Sequence, residues 1–162
     1  SRTSEVIGAR LDEIDSNEGV WVIPGDRMKA RKEHRVPLCK RALTIVHAAH
    51  QFDATSPFVF PGRSAGKPMS NMAMLNFVKK SMKEPITMHG FRSAFRDWAS
   101  ERTSFPHEVC ELALAHTIKN KAEAAYRRGD LLGKRKQLME AWAQFVLSGS
   151  AEIVSLSPAY QR

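Results

Sequence analysis

Cysteine is scarce. Cys39 and Cys110 are the only two, too few for a disulfide framework or a thiolate zinc site, and they read as small packing residues in a reduced interior. No apolar run approaches the ~18–20 residues that span a bilayer, and no signal-peptide pattern is present, so membrane proteins and secreted mini-proteins are set aside. The sequence also has no Asp/Glu cluster spaced for Mg²⁺, no phosphate-binding Gly-Lys-Ser loop, no internal repeat and no low-complexity segment. Acidic residues are outnumbered, with 17 Asp and Glu against 25 Lys and Arg and a formal net charge of +8. That excess points to a polyanionic partner through electrostatic attraction and counterion release.

What remains is an ordinary globular mixture. The 162 residues are 43% hydrophobic and 26% charged, one domain's worth of chain that needs no metal or disulfide staple to hold a core. The chain opens Ser1-Arg2-Thr3-Ser4 with no initiator Met and runs straight into helical pattern, so it reads as a fragment of something longer.

Periodicity predicts a mostly helical α+β fold with a small antiparallel sheet near the N-terminus. Residues 3–14 carry Val6, Ile7 and Leu11 at helical spacing. Val20-Trp21-Val22-Ile23-Pro24 and Arg35-Val36-Pro37-Leu38 read as short strands flanking a basic loop. Further helices are expected over 40–51, from Asn71 to Met82 behind an N-cap at Ser70, over 89–101, from Pro106 to His116, over 122–128 and over 131–147. Met69, Met72 and Met74 read as core filler. No helical period continues into 148–162, where Ile153-Val154 is the one short apolar run.

Several groups are able to carry chemistry, and each also has a plain structural reading. Positions 27, 29, 31, 32, 35, 40 and 41 are all Lys or Arg. A loop this basic suits phosphates or a groove, or else blunts an exposed sheet edge. His89 and Arg92, at i, i+3 on one helix, suit a phosphate, because Arg presents a planar fork of donors and His moves a proton near neutral pH. A helix-end His with a surface Arg is the alternative. His116 ends an apolar helix, where it also complements the dipole. Tyr126, next to Arg127 and Arg128, is a core-edge residue or a nucleophile whose phenolate the cations stabilise. His47 and His50 lack the further ligands a metal needs. Taken together, Arg2, Lys29, His89, Arg92, His116 and Tyr126 supply phosphate-binding cations, proton movers and an oxygen nucleophile, the parts of phosphoryl transfer without a metal.

In order and spacing these residues resemble the catalytic domain of the tyrosine recombinases, the phage-integrase family. Arg2 with Glu5 matches the family's first arginine and its nearby acid. Lys29, with Lys32 as fallback, falls in a Lys-Ala-Arg-Lys-Glu-His-Arg-Val-Pro stretch similar to the family's hairpin. His89 and Arg92 match the paired motif, His116 the second histidine, and Tyr126 the nucleophile. The stretches RMKARKEHRVPL, HGFRSAFRDWASERT, LALAH and AAYRRGDLLGKR resemble the prophage and genomic-island integrases in particular. Phe91 stands where many relatives have Leu, and Ala115 where many have Gly.

The resemblance covers residues 1 to about 147. It implies a tyrosine-recombinase catalytic domain lacking its N-terminal part and the separate DNA-binding domains, with 148–162 either disordered or docked on a neighbouring protomer. It further implies a site-specific recombinase that integrates or excises a prophage or genomic island through a 3′-phosphotyrosyl intermediate, with no cofactor and no metal. Catalytic roles then fall to Arg2, Lys29, His89, Arg92, His116 and Tyr126. Glu5 supports them from behind, and Arg27, Arg31, Lys32, Arg35, Arg127 and Arg128 contact DNA. The implied partner is a double-stranded attachment site in the bacterial nucleoid, bound as a tetramer by a protein that is monomeric when free, with DNA-bending accessory proteins. Two other classes compete, namely a type IB topoisomerase-like relaxing enzyme and a non-catalytic helical DNA-binding domain.

Overall fold

The computed structural model describes residues 1–116 and 129–148. Helix α1 (Thr3–Ile7) leads through a 3₁₀ turn at Leu11–Glu13 into a three-stranded antiparallel sheet, β1 (Ile14–Asp15), β2 (Val20–Ile23) and β3 (His34–Pro37), in the order β1-β2-β3. The helices α2 (Lys40–His50), α3 (Asn71–Asn76), α4 (Gly90–Arg102), α5 (His107–Ala113) and α6 (Leu132–Ser148) follow. The expected helix-rich α+β fold is what the chain adopts. The expected helix over 122–128 lies outside the described residues, as do 149–162 of the C-terminal segment.

β2 is the central strand. Trp21 pairs with Ile14 on one side and Val36 on the other, and Ile23 pairs with His34. Its residues Val20, Trp21 and Ile23 are buried, which fits a strand paired along both edges. A core of Ala9, Trp21, Ile23, Met28 and Val59 forms here, with Val46 and Ala49 of α2 packed against it. One carboxylate oxygen of Glu13 accepts from the Trp21 indole N–H at 3.0 Å, from Arg27 Nη2 at 2.8 Å and from the Arg10 backbone N–H at 3.2 Å. The Arg27 guanidinium also donates to the Gly8 carbonyl oxygen. The base of the basic β2–β3 loop is therefore fixed to the segment that leads out of α1.

A second core belongs to the helices. Phe95, Trp98 and Ala99 recur at i, i+3, i+4 on α4 and meet Val109 and Cys110 of α5 and Leu138 and Ala141 of α6. Trp142 sits edge-on to Phe95, with ring centroids 5.4 Å apart at 90°, and lies 5.0 Å from Trp98. Leu114 closes this helical core and Ala115, its neighbour, packs into the sheet core. His116 thus follows directly on the seam between them.

Three expectations need correcting. The helix over 3–14 stops at Ile7, because beyond Gly8 the backbone pairs elsewhere: Leu11 N–H donates to Pro57 O and Val59 N–H to Ala9 O. Tertiary pairing overrides the helical spacing there. The helix from Asn71 loosens at Phe77–Ser81 into a π turn, with Met82 N–H bonded to Phe77 O. Met72 is not core filler either: it is 53% exposed, Met69 and Met74 are half-buried, and Val78 is the residue this region buries.

Candidate active site

Arg2 is the N-cap of α1, and Glu5 holds it at two points. The Arg2 backbone N–H donates to Glu5 Oε2 at 2.6 Å and Arg2 Nη1 to Oε1 at 2.8 Å. One carboxylate thereby closes the helix end and orients the guanidinium. Glu5 is buried, at 2% exposure. Burial pushes its carboxyl up, and the hydrogen bonds from Arg2 outweigh that, leaving it below its usual value. The two members of the Arg-and-acid pair read from the sequence are in direct contact.

Arg92 continues the buried stripe of α4, one turn before Phe95, which is why its side chain is drawn inward. Burial, and then the charge of Arg2, push its guanidinium below the usual value, with Glu5 acting the other way. Arg2 therefore lies close enough to Arg92 for the two charges to act on one another. Arg92 Nη2 donates to the Leu114 carbonyl at 2.8 Å and stands 3.1 Å from His116 Nε2. Its Nη1 is buried and has no hydrogen-bond partner among the described residues. A buried donor left unsatisfied is rare and costly, and it is an apt place for an anionic oxygen.

His116 is held from the other side by Glu111, whose Oε2 lies 2.8 Å from the ring Nδ1. The end of α5 makes this contact possible. Ala115 adopts a left-handed conformation at φ 53°. His116 N–H bonds back to Glu111 O at 2.9 Å and Ala115 N–H to Leu112 O at 3.0 Å, the paired bonds of a Schellman ending. That turn folds His116 over the carboxylate five residues earlier. The Leu114 carbonyl, freed at the helix end, is taken by Arg92.

The remaining residues divide in two. His89 is exposed at the start of α4, its carbonyl accepting from Arg92 N–H at 3.0 Å, so the two lie one helical turn apart as the motif requires. Lys29, Arg31 and Lys32 are exposed in the β2–β3 loop. Arg27 and Arg35 are engaged internally, Arg27 with Glu13 and Arg35 with Asp130 at 2.9 and 2.7 Å. Tyr126, Arg127 and Arg128 lie outside the described residues. The structure brings Arg2, Glu5, Arg92 and His116 together and leaves His89 and Lys29 at the surface.

Glu111 escapes sequence reading because a five-residue separation matches no helical face. Only the turn at Ala115 closes that distance, and alanine there hides the signal that glycine would have given. Among the described residues, no three His, Cys, Asp or Glu side chains are grouped to hold a metal ion, and no helix is long and apolar enough to cross a membrane.

Comparison with known proteins agrees with the geometry. The model of the Phage integrase family matches residues 1–130. The prophage integrase IntA of Escherichia coli K12 is 36% identical over 97% of this chain, and the integrase of Enterobacteria phage P4 is 27% identical over 96%. Prophage integrase IntZ of Escherichia coli K12 is 30% identical over 90% of the chain. The chain spans 39% of the length of IntA and of the P4 integrase. No solved structure matches. A family match over four fifths of the sequence, on a chain whose paired arginines and histidine share one site, identifies it as a member of the phage integrase family.

Proposed function

We propose that this chain is the catalytic part of a site-specific DNA recombinase that cleaves and rejoins attachment sites through a phosphotyrosyl link. The observation that carries the reading is the buried Arg92 Nη1, an unpartnered donor beside Arg2 and His116. Two guanidiniums and an imidazole close to one another suit a phosphodiester whose non-bridging oxygens gain charge in the transition state. Fixed cations cost no reorganisation when that charge develops.

In the reaction the Tyr126 phenol oxygen attacks phosphorus, and the bond to the 5′ oxygen of the next nucleotide breaks. The phenol proton passes to His89. Lys29 gives a proton to the departing 5′ oxygen, with Lys32 as fallback. Arg2 and Arg92 neutralise the phosphoryl oxygens and His116 donates to one of them. The energy of the broken ester is retained in the 3′-phosphotyrosyl bond, so a 5′ hydroxyl from another duplex restores DNA by the reverse steps. Exposed Arg31 and Lys32, with Arg127 and Arg128, would lie along the backbone and set register. Assembly is as a tetramer on DNA, assisted by DNA-bending proteins in the nucleoid, from a free monomer.

A nicked suicide duplex, whose cleaved end diffuses away, tests the reading in the intact protein. The wild type should accumulate a covalent adduct and Tyr126→Phe none, with an unchanged circular dichroism spectrum. Arg92→Ala should cut the cleavage rate by roughly 100- to 1,000-fold, the usual effect of losing one electrostatic donor. An adduct formed by Tyr126→Phe sinks the assignment of the nucleophile. Relaxation of supercoiled DNA without exchange between two sites would instead indicate a topoisomerase. Salt-sensitive binding with no adduct on any substrate would indicate a binding domain.

A further inference from the structure

Glu111 has no part in the scheme above, yet it makes the closest side-chain contact His116 has among the described residues. The donors and acceptors around this ring leave only one neutral arrangement. A guanidinium only donates, so Nε2, 3.1 Å from Arg92 Nη2, accepts. The carboxylate only accepts, so Nδ1 carries the proton toward Glu111 Oε2. In that state His116 has nothing to donate to a phosphate. To donate from Nε2 it must carry a second proton there, and the carboxylate at its other end accepts from Nδ1 in that form as well.

We propose that Glu111 is the positioning residue for His116: it accepts from Nδ1 and so fixes the orientation of the ring, leaving Nε2 as the nitrogen that faces the scissile phosphate. The inference rests on the recombinase reading and assigns it a residue beyond the six in the motif. Glu111 is itself fixed. Arg96 Nε donates to its Oε1 at 2.8 Å, and His107 Nε2 stands 3.6 Å from the same oxygen. Burial pushes the Glu111 carboxyl up, but the bonds from His116 and Arg96 hold it below its usual value. It therefore stays an anion across the working range. The ionisable groups facing the pair are Arg96 and Arg92 from α4, His107 from its own helix, and Arg2 with Glu5 behind Arg92.

The test has two readouts. Nitrogen-15 NMR of the histidine rings in this chain should show neutral His116 protonated at Nδ1, and Glu111→Ala should remove the deshielding of a proton bonded to a carboxylate while Arg92 keeps Nε2 unprotonated. A wild-type ring protonated at Nε2 overturns the proposal. The second readout is suicide-substrate cleavage by the intact protein, with rate and DNA affinity measured separately. Glu111→Gln keeps the size of the side chain, but its amide can turn a donor toward Nδ1 as readily as an acceptor, so cleavage should slow several-fold while DNA affinity is kept. The same substitution in a His116→Ala background should change nothing further. A Glu111→Gln rate equal to that of the wild type overturns the proposal, as does an equal loss in the His116→Ala background. His107→Gln should cleave at the wild-type rate; if it slows cleavage as Glu111→Gln does, the effect belongs to His107 and the proposal fails. A wild type that forms no adduct at all tells against the recombinase reading instead, and the NMR result still decides the role of Glu111.

Discussion

Arg135 of α6 donates to the carbonyl oxygen of Arg35 on β3, tying the last described helix to the strand that leaves the basic loop. Asp130 completes the clamp. It accepts from Arg35 Nε and Nη2 on one side and from Arg135 Nη2 at 2.7 Å on the other. Burial pushes the Asp130 carboxyl up and the Arg35 and Arg135 guanidiniums more than reverse it. In sequence, Asp130 follows the Tyr126 segment by four residues and Arg35 follows Lys29 by six. One ion-pair cluster therefore anchors the chain close in sequence to both Tyr126 and Lys29.

Removing the buried member should be costly. Arg135 is 1% exposed, and Arg135→Ala strands the Arg35 carbonyl and leaves the Asp130 carboxylate with one of its two arginines. Asp130 is 36% exposed and keeps Arg35, so the cost is that of stranding buried acceptors, about 1–3 kcal/mol. Urea unfolding followed by tryptophan fluorescence measures it, and a loss below about 1 kcal/mol would show the clamp to be dispensable.

His34, at the start of β3, predicts a pH dependence. Burial, and then the charge of Arg135, hold its imidazole down to about 4, against 6.5 for the free side chain. Between those values the unfolded chain binds a proton that the folded chain does not, so stability falls as pH drops from 6.5 to 4. The carboxylates of Glu5, Glu111 and Asp130, all held low, add their loss only as pH falls through the ordinary carboxylate range. His34→Gln should flatten the urea midpoint between pH 6.5 and 5 and leave the steeper acid limb intact.

Lys29 can be separated from its neighbour Lys32 chemically. Lys29→Ala should slow cleavage of an ordinary phosphodiester. It should recover on a substrate whose 5′-bridging oxygen is sulfur, since a thiolate leaves without a proton. Lys32→Ala should behave like the wild type in cleavage and lose about one unit of salt slope in DNA binding. Rescue of Lys32→Ala instead of Lys29→Ala would exchange the two roles.

The aromatic cluster sets the stability of the helical half. Trp142 touches Phe95, Trp98 and Phe145, and Trp142→Ala should cost about 3–5 kcal/mol. Thermal unfolding of the variant gives the number. A shift of only a degree or two would mean that α6 contributes little to the core.

Much of this was legible in the sequence. Strand β2 announced itself through β-branched and aromatic residues ended by Pro24, and α4 was expected over 89–101 and runs over Gly90–Arg102. The Arg2–Glu5 pair was readable through the family resemblance, whereas His89 with Arg92 stood out because three residues is a helical separation. Long-range pairing was not readable. Nothing local to Val6–Leu11 foretells that Ala9 and Leu11 bond with Val59 and Pro57, and nothing near Arg135 points a hundred residues back to Arg35. Glu111 was hidden for a different reason, since its link to His116 depends on one residue rotating to positive φ.

That rotation at Ala115 also makes the segment from Glu111 to His116 a fixed measure of chain. Each residue of helix advances the backbone by about 100°, so one residue added or removed there would swing the imidazole to another side of α5, away from Arg92. The same change made in an exposed loop such as Arg63–Lys67 would be absorbed without consequence for the site. Length, and not only residue identity, is under constraint in these six positions.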